Sequence, residues 1–244
     1  MSGAVSKRQE RAAATAEQLL AAARQVFETR GYQASTVGAI TKAASTAHGT
    51  FYLYFKNKED AFAKVIGLVC QEMYLQVRAA WTNDIHQSLH EATRAYVEVF
   101  AAHPGLWRAL LEGALQRRAI AEIWMELRRP FIHRIAANLG RLAELGLIRK
   151  MDAEATANAM GSMVEWFCFL QFVLDRPGPQ CLTKEQVVEV LSDLWYHAVY
   201  GGTTATLGAG LPDMGSPVGS VAAGVGAGLA GRGTGPSQAL PEPS

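Results

Sequence analysis

The segment 36–59, TVGAITKAASTAHGTFYLYFKNKE, constrains the fold more than any other part of this chain. Apolar residues at helical spacing, among them Ile40 and Ala44, predict a short helix with one buried face. A turn of small residues follows, and Phe51 and Phe55 then mark the buried side of a second short helix. Helices this short are not stable alone, so both must pack on a larger helical domain.

The other side of the second short helix carries hydroxyls, rings and a glycine, where a surface helix usually carries Glu and Lys. These residues are His48, Gly49, Thr50, Tyr52 and Tyr54. Such groups suit hydrogen bonds to phosphate oxygens and base edges, as a recognition helix makes in the major groove. The segment therefore predicts a helix-turn-helix that binds double-stranded DNA.

Two longer helices are predicted to complete this domain. Thr15 with Gln18 three residues later has the pattern of a capping box at a helix start. Gly31 would end that helix in the left-handed conformation, with Tyr32 packing back on the helix. Asn57 is a good N-cap for the helix after the helix-turn-helix.

The residues Thr36, Ile40, G-T-F-Y-L-Y-F at 49–55 and Lys58-Glu59 resemble the N-terminal domain of the tetracycline-repressor (TetR) family. The resemblance covers about residues 15–66. It implies a homodimer that places one recognition helix of each subunit into successive major grooves of a palindromic operator. It also implies a C-terminal pocket whose occupancy by a small, largely hydrophobic effector releases the DNA.

Matching this chain to the family motif implies seven DNA-contacting residues. Tyr52, Tyr54 and Lys58 would contact phosphates, and Thr36 would offer its hydroxyl to the DNA backbone. Thr50 and His48 would lie nearer to base edges. The matched set is Thr36, His48, Gly49, Thr50, Tyr52, Tyr54 and Lys58.

Three residues of the turn depart from the family pattern. Ser45 stands where glycine is usual, Thr46 where a buried aliphatic residue is usual, and Ala47 where Ser or Thr often caps the recognition helix. A non-glycine residue at positive φ and a missing N-cap each cost about 1 kcal/mol. The turn is therefore predicted to be softer than usual, with weaker operator binding as a possible result.

The rest of the chain has helical periodicity, so the predicted fold is all-α: a three-helix helix-turn-helix domain followed by a larger helical ligand-binding and dimerisation domain. The predicted divisions are a flexible basic arm at 1–14, the DNA-binding domain at 15–62, the second domain at 63–201 and a disordered tail at 202–244. Further helices are expected at about 86–102, 106–115, 119–145, 153–174 and 184–200, with Pro130 kinking the third of these. Asp152 is the predicted N-cap of the fourth, and Thr183 with Gln186 is the predicted capping box of the fifth. The tail is rich in glycine and proline and has no apolar periodicity.

Aromatic residues concentrate in the second domain and predict an apolar pocket between the helix that contains Pro130 and the following helix. Glu165, beside Trp166 on an apolar helix, is the candidate polar anchor, and its alternative role is an ion pair with an arginine such as Arg128 or Arg134. An aromatic stripe is more often plain core, so that interpretation stays open for each single residue. The candidate pocket residues are Trp107, Trp124, Met125, Arg128, Phe131, Met163, Glu165 and Trp166.

A broad apolar stripe on the last helix predicts the homodimer interface. The same stripe could be internal core of a monomer, but the helix-turn-helix favours the dimer, because one short recognition helix rarely binds tightly alone. The residues of the stripe are Val187, Val190, Leu191, Leu194, Trp195 and Ala198.

Charge supports a local DNA contact, since residues 1–64 carry +4 and the remainder −3, which gives the net charge of +1. The start of the chain has no apolar run typical of a signal peptide, and no segment is long enough to span a membrane, so a cytoplasmic protein is expected.

No catalytic residue, metal or cofactor is predicted, and the chain is interpreted as a transcriptional regulator, most simply a repressor, and not as an enzyme. Two alternatives remain. One is a ligand-binding dimer whose turn substitutions have cost it operator binding. The other is a metal-dependent enzyme that uses His86 and His90, which share one helix face but have Gln87 where the H-E-x-x-H motif has glutamate.

Overall fold

The computed structural model describes residues 2–80, 84–174 and 182–201, and within those ranges every regular element is a helix. The predicted tail at 202–244 lies outside the described residues. The helices are α1 Ser2–Arg30, α2 Val37–Ala43, α3 His48–Phe51, α4 Lys58–Ala79, α5 Ile85–Ala102, α6 Pro104–Gln116, α7 Arg118–Glu144, α8 Ala153–Cys168 and α9 Lys184–Tyr200. The all-α prediction is confirmed.

The helix ends follow the capping signals of the sequence. Asn57 and Asp152 each accept a hydrogen bond from a backbone N–H of the first turn of their helix, and Thr183 forms the predicted capping box with Gln186. Gly31 has φ of 72°, and the ring of Tyr32 stacks on that of Phe27 with centroids 6.1 Å apart. These ends confirm the local predictions because each depends only on neighbouring residues.

The start of α1 was predicted wrongly. The helix begins at Ser2, so residues 2–14 belong to α1, whereas the sequence predicted a flexible basic arm there and a helix start at Thr15. Thr15 therefore lies inside the helix, where its Oγ1 donates to the carbonyl of Arg11 at 2.9 Å. The predicted partner, Gln18, donates its side-chain amide to the carbonyl of Ala44 at 2.9 Å and so ties α1 to the end of α2.

One apolar core runs from the helix-turn-helix into the second domain. At the helix-turn-helix end of this core, the side chains of Phe27 on α1, Phe51 on α3 and Phe62 on α4 are fully buried. The core continues along α4 to Phe100 and Phe169, whose rings meet edge to face at 5.2 Å. Because α4 contacts α1 on one side and α5 and α7 on the other, it joins the two parts of the molecule.

The long α7 contains Pro130, as predicted. It packs along α8, and α9 packs along α5. The predicted helix at 153–174 ends its regular α-helical part at Cys168, and Phe169–Val173 form a π-helical turn. Such turns often occur beside functional sites.

Candidate nucleic-acid interface and effector cavity

The turn of the helix-turn-helix carries three separate energetic costs. Ser45 has φ of 50°, a conformation that favours glycine. The hydroxyl of Thr46 is buried with no hydrogen-bond partner among the described residues, and Ala47 gives α3 no side-chain cap. These are the three positions at which the sequence departs from the family pattern. The costs at Ser45 and Ala47 were predicted, and the unbonded hydroxyl of Thr46 was not.

The predicted DNA-contacting side of α3 faces solvent. His48 and Gly49 are exposed, Thr50 is half-buried, and the exposed fraction of Tyr52 is 53%. The imidazole of His48 lies 5.5 Å from the ring of Tyr52. A Cβ placed on Gly49 would meet no atom within 4 Å. The glycine is therefore not required by packing inside this chain.

Thr36 and Tyr54 border this surface. Thr36 caps α2 by accepting from the N–H of Ala39 at 3.1 Å, which leaves its own hydroxyl hydrogen free to donate to another group. Tyr54 is half-buried, and its carbonyl accepts from the ammonium of Lys64 at 3.0 Å.

Lys58 has a structural role that the sequence did not reveal. Its ammonium donates to the carbonyls of Tyr32 at 2.9 Å and Ser35 at 3.0 Å, and lies 4.3 Å from the centre of the Tyr32 ring. Burial lowers the pKa of this amine. Two of the three ammonium hydrogens therefore hold the loop between α1 and α2 on the start of α4, and the phosphate contact of Lys58 stays a prediction.

Other groups on the same side were missed in the sequence. A polar groove between α1 and α2 is lined in part by Arg30, Thr36 and Lys42, and both basic residues are exposed. Leu53, beside Tyr52, has an exposed fraction of 79%. The sequence feature that could have identified Arg30 and Lys42 is their position in the last turns of α1 and α2, where basic side chains interact favourably with the helix dipole.

The second domain encloses an apolar cavity of about 150 Å³ bounded by α4, α5, α6, α7, α8 and α9. Its lining includes five of the predicted residues, Trp107, Trp124, Arg128, Phe131 and Glu165. It also includes residues that were not predicted: Cys70, Met73, Val77, Leu89, Ala92, Thr93, Tyr96, Leu110, Leu127, Ile132, Ile135, Gly161, Val164 and Trp195. A largely apolar cavity with a few polar groups is typical of a small-molecule site.

Three predicted pocket residues lie elsewhere. Met125, Met163 and Trp166 are exposed on the outer faces of α7 and α8, and half of the Trp166 side chain is accessible. The two residues between Met163 and Trp166, Val164 and Glu165, point the other way and line the cavity. The correction follows from helix rotation, which a run of apolar residues on both sides of a helix does not determine.

Glu165 and Arg128 form an ion pair at the cavity wall. The Nε of Arg128 lies 2.8 Å from one carboxylate oxygen of Glu165, and the indole N–H of Trp124 donates to the other at 2.7 Å. The Nη2 of Arg128 donates to the hydroxyl of Ser162 at 2.9 Å. Burial raises the pKa of Glu165, and the charge of Arg128 opposes this rise. The arginine pair that the sequence left open for Glu165 is therefore present, and its role as a polar anchor for an effector stays a prediction.

The helix α6 connects the cavity to the helix-turn-helix domain. Trp107 and Leu110 line the cavity. At its start, α6 lies so close to α1 that a Cβ on Gly105 would fall 2.2 Å from the carbonyl oxygen of Glu28. Farther along, Glu112 accepts from the N–H of Tyr32 at 2.8 Å. A shift of α6 must therefore move the end of α1 as well.

The apolar stripe of α9 divides between two faces. Val187 and Leu191 are buried, and Trp195 lines the cavity. Val190, Leu194 and Ala198 are exposed one turn apart on the other side. On α8, a second exposed row is formed by Ala155, Ala159, Met163 and Trp166.

His86 and His90 do not converge on a common site. His86 lies 3.9 Å from the carboxylate of Asp193 and its ring meets that of Tyr196, while His90 lies 3.8 Å from Glu91. Among the described residues, no group of three His, Cys, Asp or Glu could hold a metal ion.

Within the part of the chain that the structure describes, no helix is both long enough and apolar enough to cross a membrane.

Two family models match the chain. Residues 19–65 match the model for bacterial regulatory proteins of the TetR family, and residues 89–201 match the C-terminal domain of the transcriptional regulator EthR. The first match spans the helix-turn-helix and the second spans most of the cavity-forming helices.

Relatives and solved structures agree with these matches. The chain is 27% identical to the HTH-type transcriptional regulator YhgD of Bacillus subtilis over 176 residues, which cover 71% of this chain and 90% of that protein. It is 23% identical to the HTH-type transcriptional regulator EthR of Mycobacterium tuberculosis over 188 residues, 75% of this chain and 86% of that one. A TetR-family regulator from Syntrophomonas wolfei has the same fold, with a TM-score of 0.66 at 18% identity over 79% of this chain and 98% of that one. The chain belongs to the TetR family of transcriptional regulators.

Proposed function

We propose that this protein is a repressor that binds a palindromic operator as a homodimer and is released by a small, largely hydrophobic effector. The observation that carries the proposal is the exposed surface of α3 and the following turn. There, rings and hydroxyls surround Gly49, whose missing side chain serves no packing purpose within the chain. Two relatives named as HTH-type transcriptional regulators support a DNA-binding role over an enzymatic one.

The contacts on this surface divide into two kinds. The first kind is a hydrogen bond or ion pair to a phosphate oxygen, which we assign to the exposed residues Thr36, Lys42 and Tyr52. Such contacts fix the position of the protein on the duplex but do not read the base sequence. His48 and Thr50 suit base edges, and the exposed Leu53 suits a thymine methyl group. Lys58 is left out of this set because two of its three N–H groups already donate to the backbone of the loop between α1 and α2.

The homodimer is proposed from the exposed apolar rows on α8 and α9. Large side chains such as Met163, Trp166 and Leu194 are otherwise expensive to leave in water, and contiguous exposed apolar patches mark interaction sites. Two helices from each subunit would form a four-helix interface, which buries the same patch on both copies.

Release of DNA is proposed to run through α6. An effector in the cavity contacts Trp107, and α6 transmits its displacement to α1 at Gly105 and Glu112. The change alters the spacing of the two recognition helices in the dimer, so that they no longer match successive major grooves.

Substituting Gly49 separates DNA binding from folding. A methyl group at Gly49 meets nothing inside the chain and replaces a poor helix former, so Gly49→Ala should leave the thermal midpoint unchanged or slightly raised. The same methyl group would hold the backbone away from the duplex. The expected result is at least about a tenfold weaker affinity, a loss of 1.4 kcal/mol, for DNA from the protein's own promoter region, measured by fluorescence anisotropy.

Unchanged affinity in Gly49→Ala would contradict the assignment of this surface. A wild-type protein that binds no promoter DNA would instead favour the ligand-binding dimer without operator binding. The observation that favours this second candidate is the unfavourable free energy of the turn at Ser45, Thr46 and Ala47.

A further inference from the structure

We propose that the cavity selects an uncharged effector, because the cation and the anion among its described lining residues are paired and neutralise each other. The proposal rests on the proposed role of the cavity as the effector site, and it adds the charge class of the molecule. The residues that set this class are Arg128 on α7 and Glu165 on α8.

Short hydrogen bonds hold the two charges of the pair against each other and orient both groups. Each carboxylate oxygen of Glu165 already accepts one short bond, from Arg128 at 2.8 Å and from Trp124 at 2.7 Å. Arg128 directs a further N–H to Ser162, on the outer side of α8. Both charged side chains are mostly buried, with exposed fractions of 18% for Arg128 and 16% for Glu165.

A charged ligand would unbalance the charges of this pair. A carboxylate ligand that bonds Arg128 either displaces Glu165 or places a second anion beside it, so one of the two buried anions lacks a partner of its own. An ammonium ligand has the opposite effect and leaves one of two buried cations unpaired. Either outcome places an uncompensated charge in an apolar site, which is strongly unfavourable.

An uncharged ligand meets no such cost. The apolar walls accept its hydrocarbon part, and Tyr96 places a phenol beside the cavity. No hydrogen bond of this hydroxyl is found among the described residues, so it can donate to a neutral acceptor on the ligand. Burial and the nearby carboxylate of Glu165 raise the pKa of Tyr96, which keeps the phenol protonated and uncharged.

The test compares three ligands of one chain length: octanamide, octanoate and octylammonium. Titration calorimetry with the full chain should show octanamide binding at least about tenfold more tightly than either ion. Glu165→Gln keeps the shape of the side chain but frees Arg128, so octanoate should gain about tenfold and become the preferred ligand. Arg128→Met frees Glu165, and octylammonium should gain instead.

A matched control lies on the same helix. Arg129 pairs with Glu126 on the exposed side of α7, so Arg129→Met removes an equal charge without touching the cavity and should leave all three affinities unchanged. Circular dichroism establishes whether each variant is folded. If a variant is unfolded, the affinities of the wild type for the three ligands still test the proposal.

Equal binding of octanamide and either ion by the wild type would overturn the proposal, as would folded variants whose preference does not change. Absence of binding by all three ligands would also overturn it. The measurement uses no DNA, so a failure of operator binding would contradict the proposed function without affecting this result.

Discussion

Lys58→Met is expected to lower the free energy of unfolding by about 2–3 kcal/mol. The substitution keeps the aliphatic stem of the lysine and removes only its ammonium. The carbonyls of Tyr32 and Ser35 then lose the donor that satisfies them, in a loop where both residues are buried. A buried acceptor without a partner costs its full desolvation energy, and here two acceptors share one donor.

The control for this prediction is Lys56→Met. Lys56 lies two residues earlier with an exposed side chain, and it contributes a backbone N–H, not its ammonium, to the bond with Asp60. Its substitution should change the free energy of unfolding by less than about 0.5 kcal/mol. Urea unfolding followed by far-UV circular dichroism measures both variants. Equal, small effects would show that the ammonium of Lys58 is free for another partner, as the family motif implied.

Gly105→Ala is expected to destabilise the protein by about 2–3 kcal/mol and to disconnect the cavity from the helix-turn-helix. The added methyl carbon would fall 2.2 Å from the carbonyl oxygen of Glu28, a backbone atom in α1 that cannot turn aside. The start of α6 must therefore move away from α1. Contacts that depend on this approach, such as the 3.0 Å bond between Arg24 and His103, should weaken with it.

Gly140→Ala supplies the opposite expectation with the same chemical change. Gly140 lies within α7, and a Cβ there would meet no atom within 4 Å. Replacing an open helical glycine by alanine should stabilise the chain by about 0.5–1 kcal/mol. The measurement compares the thermal unfolding midpoints of the two variants with that of the wild type. If Gly105→Ala were also neutral or stabilising, α6 could not approach α1 as closely as described.

Features that depend on a few neighbouring residues could be predicted from the sequence. Asn57, Asp152 and Thr183 cap their helices as expected, and Gly31 takes the left-handed conformation, because in each case the side chain acts on its own turn. Thr15 is the exception. Its pattern fits a helix start, yet α1 has already formed upstream of it, and no residue near Thr15 signals this.

Features that depend on packing between distant segments could not be predicted in the same way. The ammonium of Lys58 contacts carbonyls more than twenty residues earlier in the chain, in a loop that only the folded domain brings close. Met163 and Trp166 were placed in the pocket because α8 is apolar on nearly all sides, and the sequence does not state which side meets a partner. The aromatic composition therefore predicted the existence of the cavity better than its lining.

Two copies of the α3 surface, held together through α8 and α9, are proposed to bind one duplex. The variant that tests it is Leu194→Glu, which puts a charge in the centre of the proposed interface, at a side chain that is 49% exposed. Leu68→Glu, at a side chain of α4 that is 52% exposed, is the matched control.

The most direct measurement is a fluorescence anisotropy titration of promoter DNA with the wild type and these two variants, with the molar mass of each protein determined by light scattering. We expect the wild type and Leu68→Glu to be dimers that bind two subunits per duplex. Leu194→Glu should be a folded monomer whose affinity is at least about 100-fold weaker, a difference of roughly 2.7 kcal/mol. A Leu194→Glu variant that stays dimeric, or a monomer that binds the promoter as tightly as the wild type, would contradict the account.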